Sequence, residues 1–196
     1  MSLAVGVLAS GRGSNAEALW RATQPGGVLH GRAQITTLVC DVPGAEVVPR
    51  MRALDVPVIE LAFRTREAWE TEMLHHAPTP QVWALAGFRR ILSPTFVRRF
   101  RGRILNIHPA DPALYRGLGG YAWAFEHARE RTTITVHLVD EGIDTGRVVA
   151  AQEVDLRGAR TLAEVERRGL QVEHELYPRA LCQWILEEAS CAASSP

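Results

Sequence analysis

The sequence predicts an α/β fold: an open, mostly parallel sheet with helices on both faces and a late antiparallel hairpin. Three observations predict it. Five short apolar runs, at residues 3–9, 35–40, 56–61, 82–86 and 104–107, are each of strand length. Between them lie connections long enough for a helix, the pattern of right-handed β-α-β crossovers. After about residue 130 the pattern changes to two closely spaced segments rich in β-branched residues.

Each element follows from its own residues. The first run, Leu-Ala-Val-Gly-Val-Leu-Ala, is apolar throughout, and the other four are mostly apolar rather than alternating. Strands covered by helices on both faces need that composition, so the sheet is expected to be Rossmann-like. Glycines at 11 and 13 then turn the chain into a helix expected to begin near Asn15. Residues 132–139 (Thr-Thr-Ile-Thr-Val-His-Leu-Val) and 148–154 are separated by a short glycine-containing loop. A connection that short cannot cross over, so the two are expected to pair antiparallel at one side of the sheet. Thr161, with Glu164 three residues on, opens a helix whose apolar stripe includes Leu162, Val165, Leu176, Leu181 and Ile185. Residues 1–189 are expected to form a single domain, and the small, polar segment 190–196 a disordered tail.

Length and composition narrow the function. A chain of 196 residues with 46% hydrophobic and 22% charged residues has the make-up of an ordinary globular domain, which buries roughly 70% of its unfolded surface without help from metals or disulfides. The 22 basic residues balance 22 acidic ones, so nucleic acid is not an expected partner. All 22 are arginine, which excludes a Walker lysine and any lysine Schiff base. Cys40, Cys182 and Cys191 are odd in number and lack a C-x-x-C pair, which points to a reducing compartment, the cytoplasm, and away from zinc. No apolar stretch reaches the ~20 residues that span a bilayer, so no membrane partner is expected. His75 and His76 are adjacent in sequence and cannot share a helix face as a metal pair. The five tryptophans are read as packing residues.

Three motifs carry candidate chemistry. The turn Gly11-Arg12-Gly13-Ser14-Asn15 joins a strand to a helix N-terminus, where free N–H groups and the helix dipole suit a phosphate. It also matches the dinucleotide fingerprint, with Asp41 as the ribose carboxylate of a nicotinamide-dependent oxidoreductase. Asp41 lies about 30 residues beyond Gly11, where ~20 is usual. A tight turn without a ligand is the plain alternative. The second motif, Asn106-Ile107-His108-Pro109, ends the fifth run. Residues two apart on a strand share a face, so an amide and an imidazole stand side by side where ligands bind in open α/β sheets. That pair suits acyl transfer, in which a carbonyl oxygen gains charge. The third, His137-Leu138-Val139-Asp140-Glu141-Gly142-Ile143-Asp144-Thr145-Gly146, is either a solvated turn or a loop folding over the fifth run. In the latter case one of its carboxylates would raise the His108 pKa and keep the ring protonated near neutral pH.

Together, Gly11–Asn15, Leu-Ala-Gly-Phe-Arg-Arg-Ile-Leu-Ser at 85–93, Asn-Ile-His-Pro at 106–109, the 140–146 loop and Glu-His-Glu-Leu-Tyr-Pro at 173–178 resemble the folate-dependent formyltransferases, and within them the glycinamide ribonucleotide branch, over nearly the whole chain. The resemblance implies formyl transfer from 10-formyltetrahydrofolate, without a metal, to the amine of a small phosphorylated acceptor. Asn106, His108 and Asp144 would be catalytic, with His108 the general acid. Gly13, Ser14 and Asn15 would hold the phosphate, with Pro109, Gly117 and Glu173 as further acceptor contacts. Arg66, Arg89, Arg90, Ile91 and Leu92 would form the folate site, closed by Asp140 and Ile143. A monomer or homodimer would suffice. The segment Ala-Asp-Pro-Ala-Leu-Tyr-Arg-Gly-Leu-Gly-Gly-Tyr at 110–121 departs from the branch's usual pattern, so an N-formyltransferase for another small amine, such as an amino sugar or biosynthetic intermediate, is the alternative. A catalytically silent folate-binding module is a further one.

Overall fold

The computed structural model of the chain describes residues 2–77 and 80–193. Its elements run β1 (Leu3–Ala9), α1 (Ser14–Thr23), β2 (Ala33–Cys40), α2 (Val47–Arg52), β3 (Val58–Glu60), α3 (Arg66–His76), β4 (Val82–Leu85), α4 (Pro94–Arg99), β5 (Ile104–His108), α5 (Gly120–Glu126), β6 (Arg131–Leu138), β7 (Val148–Asp155) and α6 (Leu162–Ala193). The strands form a single sheet in the order β3-β2-β1-β4-β5-β6-β7. The first five are parallel, β6 pairs antiparallel with β5, and β7 antiparallel with β6. The α/β class and the late hairpin are therefore as expected.

Alternation along β1 divides the core. Val5, Val7 and Ala9 face one layer with Leu19, Leu38, Met51, Tyr177 and Leu181. Leu8 faces the other with Trp69, Met73, Trp83, Phe96 and Phe100. Each large apolar side chain buried in this way stabilises the fold by about 1.5–3 kcal/mol before entropy is counted. Strand β3 is shorter than the apolar run at 56–61. Pro57 has no N–H to give the ladder, and the Val56 N–H is taken by the Met51 carbonyl at 3.1 Å.

Helix α6 starts where the capping pattern places it. Thr161 Oγ1 accepts from the Glu164 N–H at 3.2 Å, but Glu164 returns its carboxylate to the Arg160 N–H rather than to Thr161. The helix continues through Ser190 to Ala193, so those residues of the expected tail are helical; 194–196 lie outside the described residues. Of the helices, α6 is the one that fixes the strand ends bearing the candidate site. Tyr177 is fully buried, and its hydroxyl donates between the carbonyls of Leu85, at 3.1 Å, and Leu105, at 2.9 Å.

The order β2-β1-β4 places the reversal of winding between β1 and β4. Beyond the carboxyl ends of those strands, loops diverge to opposite faces and leave a crevice. Tyr177→Phe keeps the ring and removes the hydroxyl that ties α6 to β4 and β5. It should lower unfolding stability by about 1–2 kcal/mol, measured by urea denaturation; an unchanged midpoint would show that the hydroxyl bridges nothing of consequence.

Candidate active site

A cleft of about 650 Å³ opens at that crevice. It is lined by the β1–α1 turn, the segment after β4, the end of β5, the 117–119 loop, the 139–144 loop and two positions on α6. Gly13, Ser14, Asn15, Arg89, Arg90, Ile91, Leu92, Asn106, His108, Pro109, Gly117, Asp140, Ile143, Asp144 and Glu173 all line it. Arg66 does not: it begins α3, half-buried, with its guanidinium on Glu67 at 3.0 Å.

At one end, Gly13 caps α1 with φ +80° and no side-chain cap. The left-handed conformation suits glycine, and a Cβ there would come within 2.4 Å of Val47. The first-turn N–H groups of an α-helix have no intrahelical acceptor, so this end presents donors and a positive dipole to the cleft. Asn15 donates its amide to Glu173, while its Oδ1 is buried without a partner. Glu173 is itself buried. Burial pushes its carboxyl above the ordinary range, against the pull of donors from Tyr121 and Asn15.

At the centre, Asn106 and His108 share a face of β5, as the strand period requires. In the antiparallel register Asn106 lies opposite His137. The 139–144 loop does fold over this strand end. Asp144 holds the left-handed conformation at φ +51°, uncommon outside glycine but tolerated by aspartate. Its Oδ2 lies 3.6 Å from His108 Nδ1 and accepts from the Gly117 N–H at 2.8 Å. Its Oδ1 lies 3.3 Å from His137 Nε2 and 3.4 Å from the Asn106 amide. Burial opposes the charge on Asp144, but hydrogen bonding from His137 and Gly117 and the imidazoles of His108 and His137 outweigh it, holding the carboxyl down at about 2.

His108 corrects one expectation. Its ring is buried, and burial takes its pKa below the ordinary imidazole value although Asp144 and the Tyr115 carbonyl pull upward. The carboxylate does not keep the ring protonated in the open cleft. Nε2–H donates to the Tyr115 carbonyl at 2.9 Å. In the neutral ring this tautomer leaves Nδ1 as an acceptor facing a carboxylate, which accounts for a gap longer than a hydrogen bond.

At the other end, the segment after β4 is braced from two sides. The Arg89 N–H donates to Ser10 Oγ at 3.0 Å. Buried Glu70 accepts from the Ser93 N–H at 2.6 Å and from the Ser93 hydroxyl, and Ser93 caps α4 through the Phe96 N–H at 3.0 Å. Arg90 pairs with Asp41 at 2.7 Å and covers the Phe63 ring at 4.5 Å. The Asp41 side chain is thus fully buried with its Oδ2 on Arg90, and the dinucleotide reading loses its ribose carboxylate.

His137, the first residue of the third motif, and Tyr121, the last of the 110–121 segment, also line the cleft, although the sequence gives neither of them a role. His137 had a signal, the alternation Thr135-Val136-His137 on a strand that would pair with 104–107. Tyr121 had none, because what it meets is set by how α5 packs on α6.

The sequence pattern of the formyl transferase family matches residues 3–181. The chain is 32% identical over 182 residues to the phosphoribosylglycinamide formyltransferase of Bacillus subtilis (strain 168), covering 90% of this chain and 92% of that protein. It is 34% identical over 187 residues, 92% of this chain, to the trifunctional purine biosynthetic protein adenosine-3 of Drosophila melanogaster, of which it spans 14%. Among solved structures, glycinamide ribonucleotide transformylase 1 of Geobacillus kaustophilus superposes with a TM-score of 0.87 at 34% identity, over 94% of this chain and all of that one.

Because the folded pKa of His108 lies below its unfolded value of about 6.5, the unfolded chain binds the extra proton as pH falls through that value. This group's contribution to stability is therefore present above about pH 6.5 and is lost below it, down to the folded pKa. Asp144→Asn removes the charge that raises the His108 pKa and should move it further down, read by NMR of the ring C2 proton. An upward shift would show that Asp144 does not act on this ring.

Proposed function

The chain belongs to the formyl transferase family, and from that premise we propose that it transfers a formyl group from 10-formyltetrahydrofolate to the primary amine of glycinamide ribonucleotide, a step of purine biosynthesis. The observation that carries the reading is the convergence of Asn106, His108 and Asp144 midway between an anion-seeking helix end and a braced, partly apolar segment. A reaction joining a phosphorylated amine to a flat, aromatic donor needs that division. We take residues 1–189 as the catalytic domain and, from the cysteine content, place the protein in the cytoplasm. No helix among the described residues is long and apolar enough to cross a membrane.

In this reading the first turn of α1, with Ser14, takes the acceptor's phosphate. Asn15 Oδ1 and Glu173, both acceptors, take the ribose hydroxyls, which are donors. The folate lies along Arg89, Arg90, Ile91 and Leu92, with Ile143 and Asp140 above it. Arg66, on α3 and not in the cleft lining, is left out of this binding site.

The amine attacks the formyl carbon, and the carbonyl oxygen becomes an oxyanion. Asn106 donates its amide to it. The new negative charge adds to that of Asp144, so the His108 ring, neutral in the open cleft, now favours the protonated form. The attacking nitrogen passes its proton to His108, and as the oxyanion collapses and the bond from the formyl carbon to the folate nitrogen breaks, His108 as general acid delivers that proton to the departing nitrogen. General acid catalysis of this kind contributes about 10²–10⁴ in rate, and an oxyanion donor a further 10²–10³.

The second reading, formylation of another small amine, is favoured by one observation. The 110–121 segment that departs from the family pattern contacts both His108 and Asp144. Steady-state assays with 10-formyltetrahydrofolate and a panel of amines decide between them. Turnover is expected with glycinamide ribonucleotide and a KM at least tenfold higher for its unphosphorylated riboside; equal KM values would remove the phosphate site. His108→Ala should lower kcat at least about 100-fold while donor affinity stays within about twofold, and near-normal turnover would end its assigned role.

A further inference from the structure

The acceptor end contains a pair that the transfer mechanism leaves unexplained. Gly169 lies inside α6, where glycine weakens a helix, and its φ is not among the positive values that would demand it. Space accounts for it instead. A Cβ at 169 would lie 2.1–2.3 Å from Cε1, Cζ and the hydroxyl of Tyr121. The missing side chain lets the phenol of α5 enter the surface of α6. One turn further on, the hydroxyl donates to Glu173 Oε1, while Asn15 donates to Oε2.

We propose that Tyr121, admitted by Gly169, is a positioning residue for the acceptor: its hydroxyl fixes the Glu173 carboxylate so that this carboxylate and Asn15 Oδ1 present acceptors to the substrate's hydroxyl groups. The proposal rests on the assignment of this end of the cleft to the acceptor. Glu173 is 5% exposed and Asn15 7%, and no ion pair to Glu173 forms among the described residues. Two neutral donors therefore hold a buried carboxylate in place of a cation. Without the phenol, Glu173 has one donor fewer to sustain its charge and one fewer to fix its rotamer. A protonated, turning carboxyl offers a donor where the acceptor needs a hydrogen-bond acceptor. The other charged groups near the pair, Arg12 and Glu166, engage each other at 3.5 Å, so Tyr121 is the neighbour whose loss changes Glu173 most.

The test uses the full chain with 10-formyltetrahydrofolate and whichever amine of the panel the wild type formylates, so that an error in the acceptor's identity is seen first in the wild type. Tyr121→Phe, which keeps the ring, should raise acceptor KM about tenfold, with kcat and donor KM within about twofold. The acid limb of the acceptor KM profile should move to higher pH. Gly169→Ala, a change that ordinarily favours a helix, should raise acceptor KM at least as much, yet add nothing in a Tyr121→Ala background. Thermal unfolding checks that each variant folds, and Tyr121→Phe decides the matter if Gly169→Ala does not. An unchanged acceptor KM in Tyr121→Phe, or a loss spread equally over kcat and both KM values, would overturn the proposal.

Discussion

The site is organised around one half-buried negative charge. Asp144 stands between two imidazoles and an amide, and accepts from the Gly117 backbone N–H. A lone carboxylate in this position would protonate. Enough donors surround this one to keep it ionised far below neutral pH, and the groups that do so are the ones the proposed mechanism uses. Its charge works against the burial that keeps His108 neutral, which leaves that ring poised to change state when charge develops beside it.

Topology assembles the groups around that charge. Because β4 returns beside β1 and not beside β3, the turn after β1 and the segment after β4 diverge at the same height. Their walls are joined by Ser10, whose hydroxyl accepts from Arg89. The antiparallel β6 then supplies what a parallel neighbour could not. Its pairing with β5 sets His137 against Asn106, and its short exit loop doubles straight back over the strand end, bringing Asp144 down onto His108. A crossover helix at this point would have carried the chain away from the site.

Much of this was legible before any coordinates. Mostly apolar, non-alternating runs marked the parallel strands, the short Gly-containing connection marked the hairpin, and Asn106 with His108 followed from a period of two. What failed to show were properties of packing. That Arg66 points away depends on how α3 lies on the sheet. That His108 sits below its ordinary pKa depends on how much water the loops exclude, which outweighs a neighbouring carboxylate that sequence could suggest. Gly169 and Tyr121 are separated by almost fifty residues, and neither carries meaning until α5 rests against α6.

The 110–121 segment has a consequence for how such an enzyme can change its acceptor. Its backbone supplies both the carbonyl that accepts a hydrogen bond from His108 and the N–H that donates to Asp144. Its end supplies Tyr121 to Glu173. A substitution that reshapes the loop for a different amine therefore shifts the electrostatics of the reacting centre at the same time. Backbone groups, unlike side chains, keep their donor and acceptor identities through substitution, and that is how the residues here can be rewritten without dismantling the catalytic contacts. Selection is free to alter what the loop's side chains meet, but only along paths that leave the Tyr115 carbonyl and the Gly117 N–H in place.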